Sequence, residues 1–393
     1  MRADAATQGR TALRRKAADL PRIGMLTLAH LINDSYGNYV AILLPLLRDD
    51  LHFSLGLASA LVTANTITSG VIQPLLGYVA DRWATRLMSV AGILMAAAGA
   101  SLLGLAPHYL VLVALAILSG LGTAVYHPQA AAMVVAVAGE RRATMMSLYL
   151  MGGNVGLATG PWLVTLLVEG RGLQATWLML IPGALGALML YQFAPRQWSP
   201  TPPGSGPPLW TVLRRYRAVL ARLLAVVATR SWAHYTLLAF LPLYLRDLGV
   251  GASERAGIVF LITFAGAFGG VIGGYLADRW VSRRTVIVGS LVLATGCTLF
   301  LLHSDGWVRW LWATFTGMTL LGSFSVLTVK GQEVLPQNVG LASGFMLGLT
   351  ISLGGLFVLP MGAVADVIGL APVIHLAVVL PPLAAVMALA LPE

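Results

Sequence analysis

Gly77-Tyr-Val-Ala-Asp-Arg-Trp83 and Gly274-Tyr-Leu-Ala-Asp-Arg-Trp280 agree at six of seven positions and lie 197 residues apart in a chain of 393. Pro45, in Leu-Leu-Pro-Leu-Leu, meets Pro242, in Phe-Leu-Pro-Leu-Tyr, at the same offset. Two matches in one register, at about half the chain length, point to a duplicated unit.

The composition says what that unit is made of. Hydrophobic residues are 58% of the chain and charged residues 10%, with a mean hydropathy of +0.81. A soluble domain covers itself with about 25% charged residues, so most of this surface must face lipid. Twelve apolar runs of about 20 residues, each enough to cross ~30 Å of hydrocarbon, follow one another from Ile23 to Leu391. A β-barrel would show shorter, alternating segments. Between Pro195 and Pro208 six prolines and two glycines interrupt any helix and read as a linker. The expected fold is all-α and polytopic: twelve transmembrane helices in two pseudo-symmetric six-helix bundles. Residues 1–22 form a tail, 23–193 the first bundle, 194–218 the linker and 219–393 the second bundle.

A net charge of +10 would suit nucleic acid, but its distribution suits a membrane. Eighteen basic residues fall on the tail, the linker and every second loop, against five on the opposite loops. The positive-inside rule then puts both termini in the cytoplasm of a multi-pass inner-membrane protein, with lipid as a partner and nucleic acid excluded. The tail lacks the short apolar core and small-residue cleavage site of a signal peptide, so the first helix is retained. One cysteine, Cys297, rules out an internal disulfide and a cysteine-based metal site. There is no His-Glu-x-x-His, no Gly-x-Ser-x-Gly elbow and no phosphate loop. No enzyme activity, catalytic residue, metal or other cofactor is therefore expected, and a monomer driven by a proton gradient is.

Ionisable groups inside the spans carry the functional argument. Asp34 sits near the middle of the first span, where an aspartate costs about 2.5–3.5 kcal/mol unless it faces water or a partner. His30, Asn33 and Asp34 share one helical face. The acid is either a proton carrier, with His30 beside it, or a structural group paired with His30 or an arginine. Arg230 falls at the repeat position of Asn33, and His234 follows one turn later. A guanidinium fork suits a phosphonate, phosphate or carboxylate. Arg230 can alternate between such an anion and Asp34, or simply bridge the two halves. His127 precedes Pro128 in the fourth span, and counting from Tyr109 places it in the cytoplasmic half. With Tyr126 and Gln129 it can bind substrate or relay protons, or else cap the bend at the proline. Asn154 can hydrogen-bond a substrate or a neighbouring helix. Lys330 and Glu333 are spaced to pair at the cytoplasmic mouth of the tenth span, as a gate or an interfacial ion pair.

At these residues the chain resembles the major facilitator superfamily of transporters. Gly77-x-x-x-Asp81-Arg82-x-x-x-Arg86 and Gly274-x-x-x-Asp278-Arg279-x-x-x-Arg283 look like its signature loop, with Ala84 and Val281 in place of the usual second glycine. The stretch from Gly152 through Gly156 and Gly160 to Pro161 resembles the glycine-proline motif of antiporters. Ala116 stands where the superfamily often has an arginine. Five further pieces resemble the fosmidomycin-resistance group: His30–Asp34, Val125–Pro128, Gly152–Gly156, Arg230–Trp232 and Gln332–Pro336. The resemblance implies export of a small organic anion or drug, of the phosphonate type, in exchange for protons. It also implies that Asp81 and Asp278, in solvent-reached loops, help hold one conformation, with Asp81 near the helix start at Leu341–Gly344. The glycine stripe would be a smooth surface on which the halves rock. Uptake or facilitated passage of a sugar phosphate or organic acid is the alternative, ahead of a channel, a receptor or an intramembrane enzyme.

Overall fold

The computed structural model describes residues 17–83, 85–195 and 207–392. Most of the basic tail, Ala84 of the signature loop and most of the proline-rich linker lie outside the described residues. Among the described residues all regular structure is helical and falls into twelve spans. The first six are α1 (Leu20–Ser35 and Tyr39–Leu51), α2 (Leu55–Thr66, Ile67–Val71 and Gln73–Arg82), α3 (Arg86–Ser101), α4 (Tyr109–Val137), α5 (Arg142–Arg171) and α6 (Leu173–Met179 and Leu180–Phe193). The second six are α7 (Leu209–Asp247), α8 (Ala252–Arg279), α9 (Arg283–His303), α10 (Gly306–Gly322 and Phe324–Val334), α11 (Val339–Ser343, Gly344–Gly348 and Leu349–Ile368) and α12 (Leu370–Leu389). Eight of the twelve are long and apolar enough to cross a bilayer on length and composition alone. The other four are α1 and α2, which are interrupted, α3, which is short, and α7, which carries several arginines.

The duplication persists in three dimensions. Tyr109–Val137 and Gly306–Val334 are both 29 residues long, and Arg142–Arg171 and Val339–Ile368 are both 30. Each pair begins 197 residues apart. Gly172 (φ 81°) and Gly369 (φ 88°) end α5 and α11 at the same offset, in a backbone region where a side chain is strained.

Local chemistry sets the ends and breaks. Asp19, Ser54, Thr85 and Ser282 cap α1, α2, α3 and α9 by accepting from first-turn amides. In α2 a wide π-turn, Ile67–Val71, stands just before Gln73-Pro74. Pro74 cannot donate to the carbonyl of Gly70 and its ring crowds that oxygen, so the preceding turn opens. A second π-turn, Gly344–Gly348, interrupts α11 opposite it.

The core is shared at one end and divided at the other. Near the end that carries both termini, one apolar cluster runs from Ile23, Ala138 and Met145 through Leu223 and Val286 to Leu391, joining both bundles. Toward the opposite end, Tyr39, Leu43, Phe53 and Leu112 pack within the first bundle. Leu241, Leu245, Ile258 and Leu301 pack within the second. The two bundles are therefore held together mainly at the terminal end.

Candidate functional site

The inner face of α1 brings His30, Asn33 and Asp34 into the first bundle, where they are 3%, 0% and 9% exposed. Gly153 of α5 makes room for them: a Cβ there would lie 2.5 Å from His30 Cε1 and 2.6 Å from Asp34 Oδ2. His30 stacks on Tyr149, with ring centroids 4.0 Å apart. From α4, His127 Nε2 reaches Asp34 Oδ1 at 2.9 Å, while His30 Nε2 is 3.1 Å from Asp34 Oδ2. Asn33 donates to Asp34 Oδ1 at 3.0 Å. Three polar contacts on one carboxylate, each worth about 1.5–3 kcal/mol when charged, can offset the cost of burying it.

The partners of the two rings fix where protons sit. His30 Nδ1 is 2.8 Å from the carbonyl of Tyr149, which can only accept, so Nδ1 carries a hydrogen. Its Nε2 and Asp34 Oδ2 then form a hydrogen bond only if one of them is also protonated. On the other side, Gln73 Nε2 donates to the carbonyl of Ser69 at 2.6 Å and faces His127 Nδ1 at 3.1 Å. His127 Nδ1 therefore accepts, and its Nε2–H donates to Asp34. The triad in this geometry holds one proton more than a carboxylate with two neutral imidazoles. Among the described residues it is the one group of three ligand-type side chains close enough for a metal, within 4.8 Å.

Arg230 lies in the second bundle and does not meet Asp34 in this conformation. It is 1% exposed. Its Nε donates to the carbonyl of Leu320 at 3.0 Å, and its guanidinium sits 4.9 Å from the centre of the Phe324 ring. Arg230 Nη2 and His234 Nδ1 are buried without a hydrogen-bond partner. Tyr126 is buried 6.1 Å from the His30 ring. Gln129 points instead to Met88 of α3, donating to its sulfur at 3.0 Å. Asn154 lines a cavity of about 10 Å³ between α5, α8 and α10, room for roughly one water.

Several sequence expectations change place. His127 engages Asp34 and Gln73 through its two ring nitrogens, so it does not cap the bend at Pro128. Gly152, Gly156 and Gly160 pack α5 onto Thr27, Leu31 and Ser35 of α1, inside one bundle, so they are not the rocking surface. Other glycines make the close approach between the bundles. Gly77 overlaps the carbonyl of Gly340 if given a Cβ; Gly344 would approach Gln73 O to 2.5 Å, and Gly348 would approach Gly70 O to 2.5 Å. Pro161 stands inside α5, half-buried. Lys330 is buried, and Glu333 reaches Arg283 at 3.0 Å.

The signature loops form two matching latches. Asp81 accepts from the amides of Gly340 (2.7 Å) and Leu341 (2.9 Å) at the start of α11. Asp278 accepts from Ala143 (3.2 Å) and Thr144 (2.8 Å) at the start of α5. The partner residues are again 197 apart. The loops do not leave these acids to solvent: the Asp278 side chain is 2% exposed. The basic residues pack outward, with Arg82 donating to Pro207 O at 2.8 Å. Arg86 lies over Tyr191, and Arg279 lies over Tyr275.

Comparison with known proteins supplies the family. The model of the Major Facilitator Superfamily matches residues 26–359. The chain belongs to the major facilitator superfamily. As in that superfamily generally, it is a multi-pass membrane transporter and not an enzyme. The fosmidomycin resistance protein of Escherichia coli is 27% identical over 352 residues, 88% of this chain and 86% of that one. A Bacillus subtilis protein, the MFS-type transporter YfnC, is 26% identical over 385 residues, covering 95% and 93%. In structure, this superfamily member aligns with the E. coli fucose:proton symporter FucP at a TM-score of 0.76 and 16% identity, covering 94% and 97%. Two participants of the site are not among the residues that the sequence singles out. Tyr149 acts through its backbone carbonyl, which no side-chain pattern reveals. Gln73 is a polar amide in an apolar span, and that misfit was a usable signal.

Proposed function

We propose that this superfamily member is a proton-coupled antiporter that exports a small organic anion of the fosmidomycin type. The observation that carries the reading is the buried His30–Asp34–His127 triad, whose hydrogen bonds require one exchangeable proton. The proton gradient is the energy source, and the solute is the anion. Arg230, with Nη2 and the neighbouring His234 Nδ1 free of partners, is the anion-binding counterpart in the second bundle. Asn33 and Tyr126 adjoin the triad and Asn154 lines the small cavity beside Phe324, and these are the further substrate-binding candidates, whereas Gln129 acts as a packing residue. The excess of basic residues on the terminal side supports termini in the cytoplasm of an inner membrane. The conformation latched by Asp81 and Asp278 is then closed to the cytoplasm. A monomer suffices, because both halves of the site lie in one chain. The kinship with the fosmidomycin resistance protein supports export and a phosphonate solute.

Proteoliposomes given a pH jump, with a panel of phosphonates, sugar phosphates and lipophilic cations, test this. Solute flux opposite to proton flux, strongest for phosphonates, is the expected result. Flux in the same direction would mean symport, and flux insensitive to the gradient would remove the proton role.

A further inference from the structure

Gln73 touches both the triad and the seam between the bundles. Its side chain is 0% exposed. The amide nitrogen bonds to Ser69 O inside the π-turn of α2 and to His127 Nδ1, while Oε1 is buried without a partner. On its other side α11 lies directly against it. Added Cβ atoms on Gly344 and Gly348 would lie 2.5 Å from Gln73 O and 2.6 Å from Gln73 Cβ. Resting on the proton-coupling reading, we propose that Gln73 reads the protonation state of His127 and transmits it to the seam that closes the terminal end.

The reading is a matter of donors and acceptors. With His127 protonated only at Nε2, its Nδ1 accepts from Gln73, and of that amide only Oε1 is left without a partner. A proton taken up from water onto Nδ1 makes the ring an imidazolium and places two donors face to face. The amide then turns to offer Oε1 to Nδ1–H. That oxygen now confronts the carbonyl of Ser69, two acceptors at the 2.6 Å now spanned by a hydrogen bond. Ser69 must withdraw, and it belongs to the same five-residue π-turn as Gly70, whose carbonyl Gly348 rests on. A backbone contact this close has no soft side chain to absorb the shift, so the seam loosens. The device is bistable because an amide has two orientations and a hydrogen bond favours one or the other.

Among the described residues the groups facing His127 are few. The titratable groups facing His127 are Asp34 and His30 from α1, Tyr126 beside it in α4, and Tyr149 from α5 behind His30. The α11 stretch that packs on α4, Val339 to Gly348, contains no titratable residue. The second bundle has no such reader. At the repeat positions of Gln73, His127 and Asp34 stand Gly270, Phe324 and Ser231.

The test measures the seam itself, without any solute. Spin labels at Trp83→Cys and Gln337→Cys, both exposed at the terminal end of opposite bundles, in a Cys297→Ser chain report the distance across it. In the wild type the short-distance population should fall about threefold or more on going from about pH 8 to about pH 5.5. Gln73→Met, with similar length and no amide, should hold the short distance at both pH values. Gln73→Glu, which offers only acceptors to Nδ1–H, should hold the long distance at both. A merely structural residue would move both variants in one direction, and that outcome overturns the proposal. So does a Gln73→Met protein that keeps the wild-type pH response. Because no transport is measured, failure here is distinct from failure of the antiport reading, which the flux sign decides.

Discussion

The two seams between the bundles start alike and end differently. At the terminal end, α2 meets α11 and α8 meets α5 through the same aspartate, the same pair of amides and the same close backbone approach. One turn further in, the symmetry fails. The α2 side has Gln73 bonded to His127, which is bonded to Asp34. The α8 side has Gly270 and Phe324 bordering a cavity of about 10 Å³. Duplication supplied a symmetric clamp; divergence made one flank polar and left the other inert. A clamp with matched latches can close as a rigid unit, whereas a single polar flank lets one event bias it. At up to ~2 kcal/mol each, two helix-terminus latches supply at most ~4 kcal/mol. About 5.5 kcal/mol is needed to swing a two-state balance from 1:99 to 99:1, so the latches bias the closed state without locking it.

The sharpest way to break this contrast is to exchange the proton site for a neutral one. Asp34→Asn should lower pH-driven exchange by about a hundredfold or more while solute counterflow persists, because the triad loses its titratable acceptor. Its repeat partner offers the control: Ser231→Ala should leave driven exchange within about twofold. Equal loss in both would mean that the polar flank has no special role. Both are read as solute flux in proteoliposomes with and without a pH gradient.

Closure itself comes next. Gly77→Val places a branched side chain where even a Cβ overlaps Gly340 O, so the terminal end cannot shut. Turnover should drop about thirtyfold, and a thiol probe at Gln337→Cys should react faster. Gly289→Ala, with nothing within 4 Å of the added carbon, should change neither. Removing one latch is milder. Asp81→Ala or Asp278→Ala should each reduce the closed population about tenfold, consistent with ~1.4 kcal/mol, with solute affinity little changed. Their near-equality is the point: a large difference between them would show that the clamp is not symmetric.

Much of this plan could be read from the chain before any coordinates. The offset of 197 residues held from Pro45 through the latches to the ends of α5 and α11, because apolar span length and signature loops are sequence properties. Asp34 shared its face with His30 and Asn33 as helical spacing required. What escaped was anything set by a partner across space. A rise per residue measures distance along one helix, so it gave the level of His127 but not its partners, Asp34 and Gln73. A glycine stripe shows that something packs closely but not what; Gly152, Gly156 and Gly160 chose α1, while Gly340, Gly344 and Gly348 form the seam. Arg230 was placed by the repeat, yet its aim at Leu320 O depends on the broken end of α10's first helix. Arg230→Lys probes that aim. It keeps the charge but loses the planar stack on Phe324 and the Nε bond, and should weaken phosphonate binding about fivefold while sparing cationic dyes.

The smallest effect is the most discriminating for the asymmetry. At Gly270 an added Cβ would find Leu321 O at 3.7 Å, an ordinary contact, and the small cavity beside it can take the methyl. Gly270→Ala should therefore shift thermal stability by no more than about 0.5 kcal/mol and transport by less than twofold. If the α8 flank carried a hidden polar relay through a trapped water, filling that space would displace the water and shift the pH profile of transport. An unchanged profile would mean that the second seam moves with the clamp but does not sense protons, leaving Gln73 and His127, among the described residues, as the place where the two events meet.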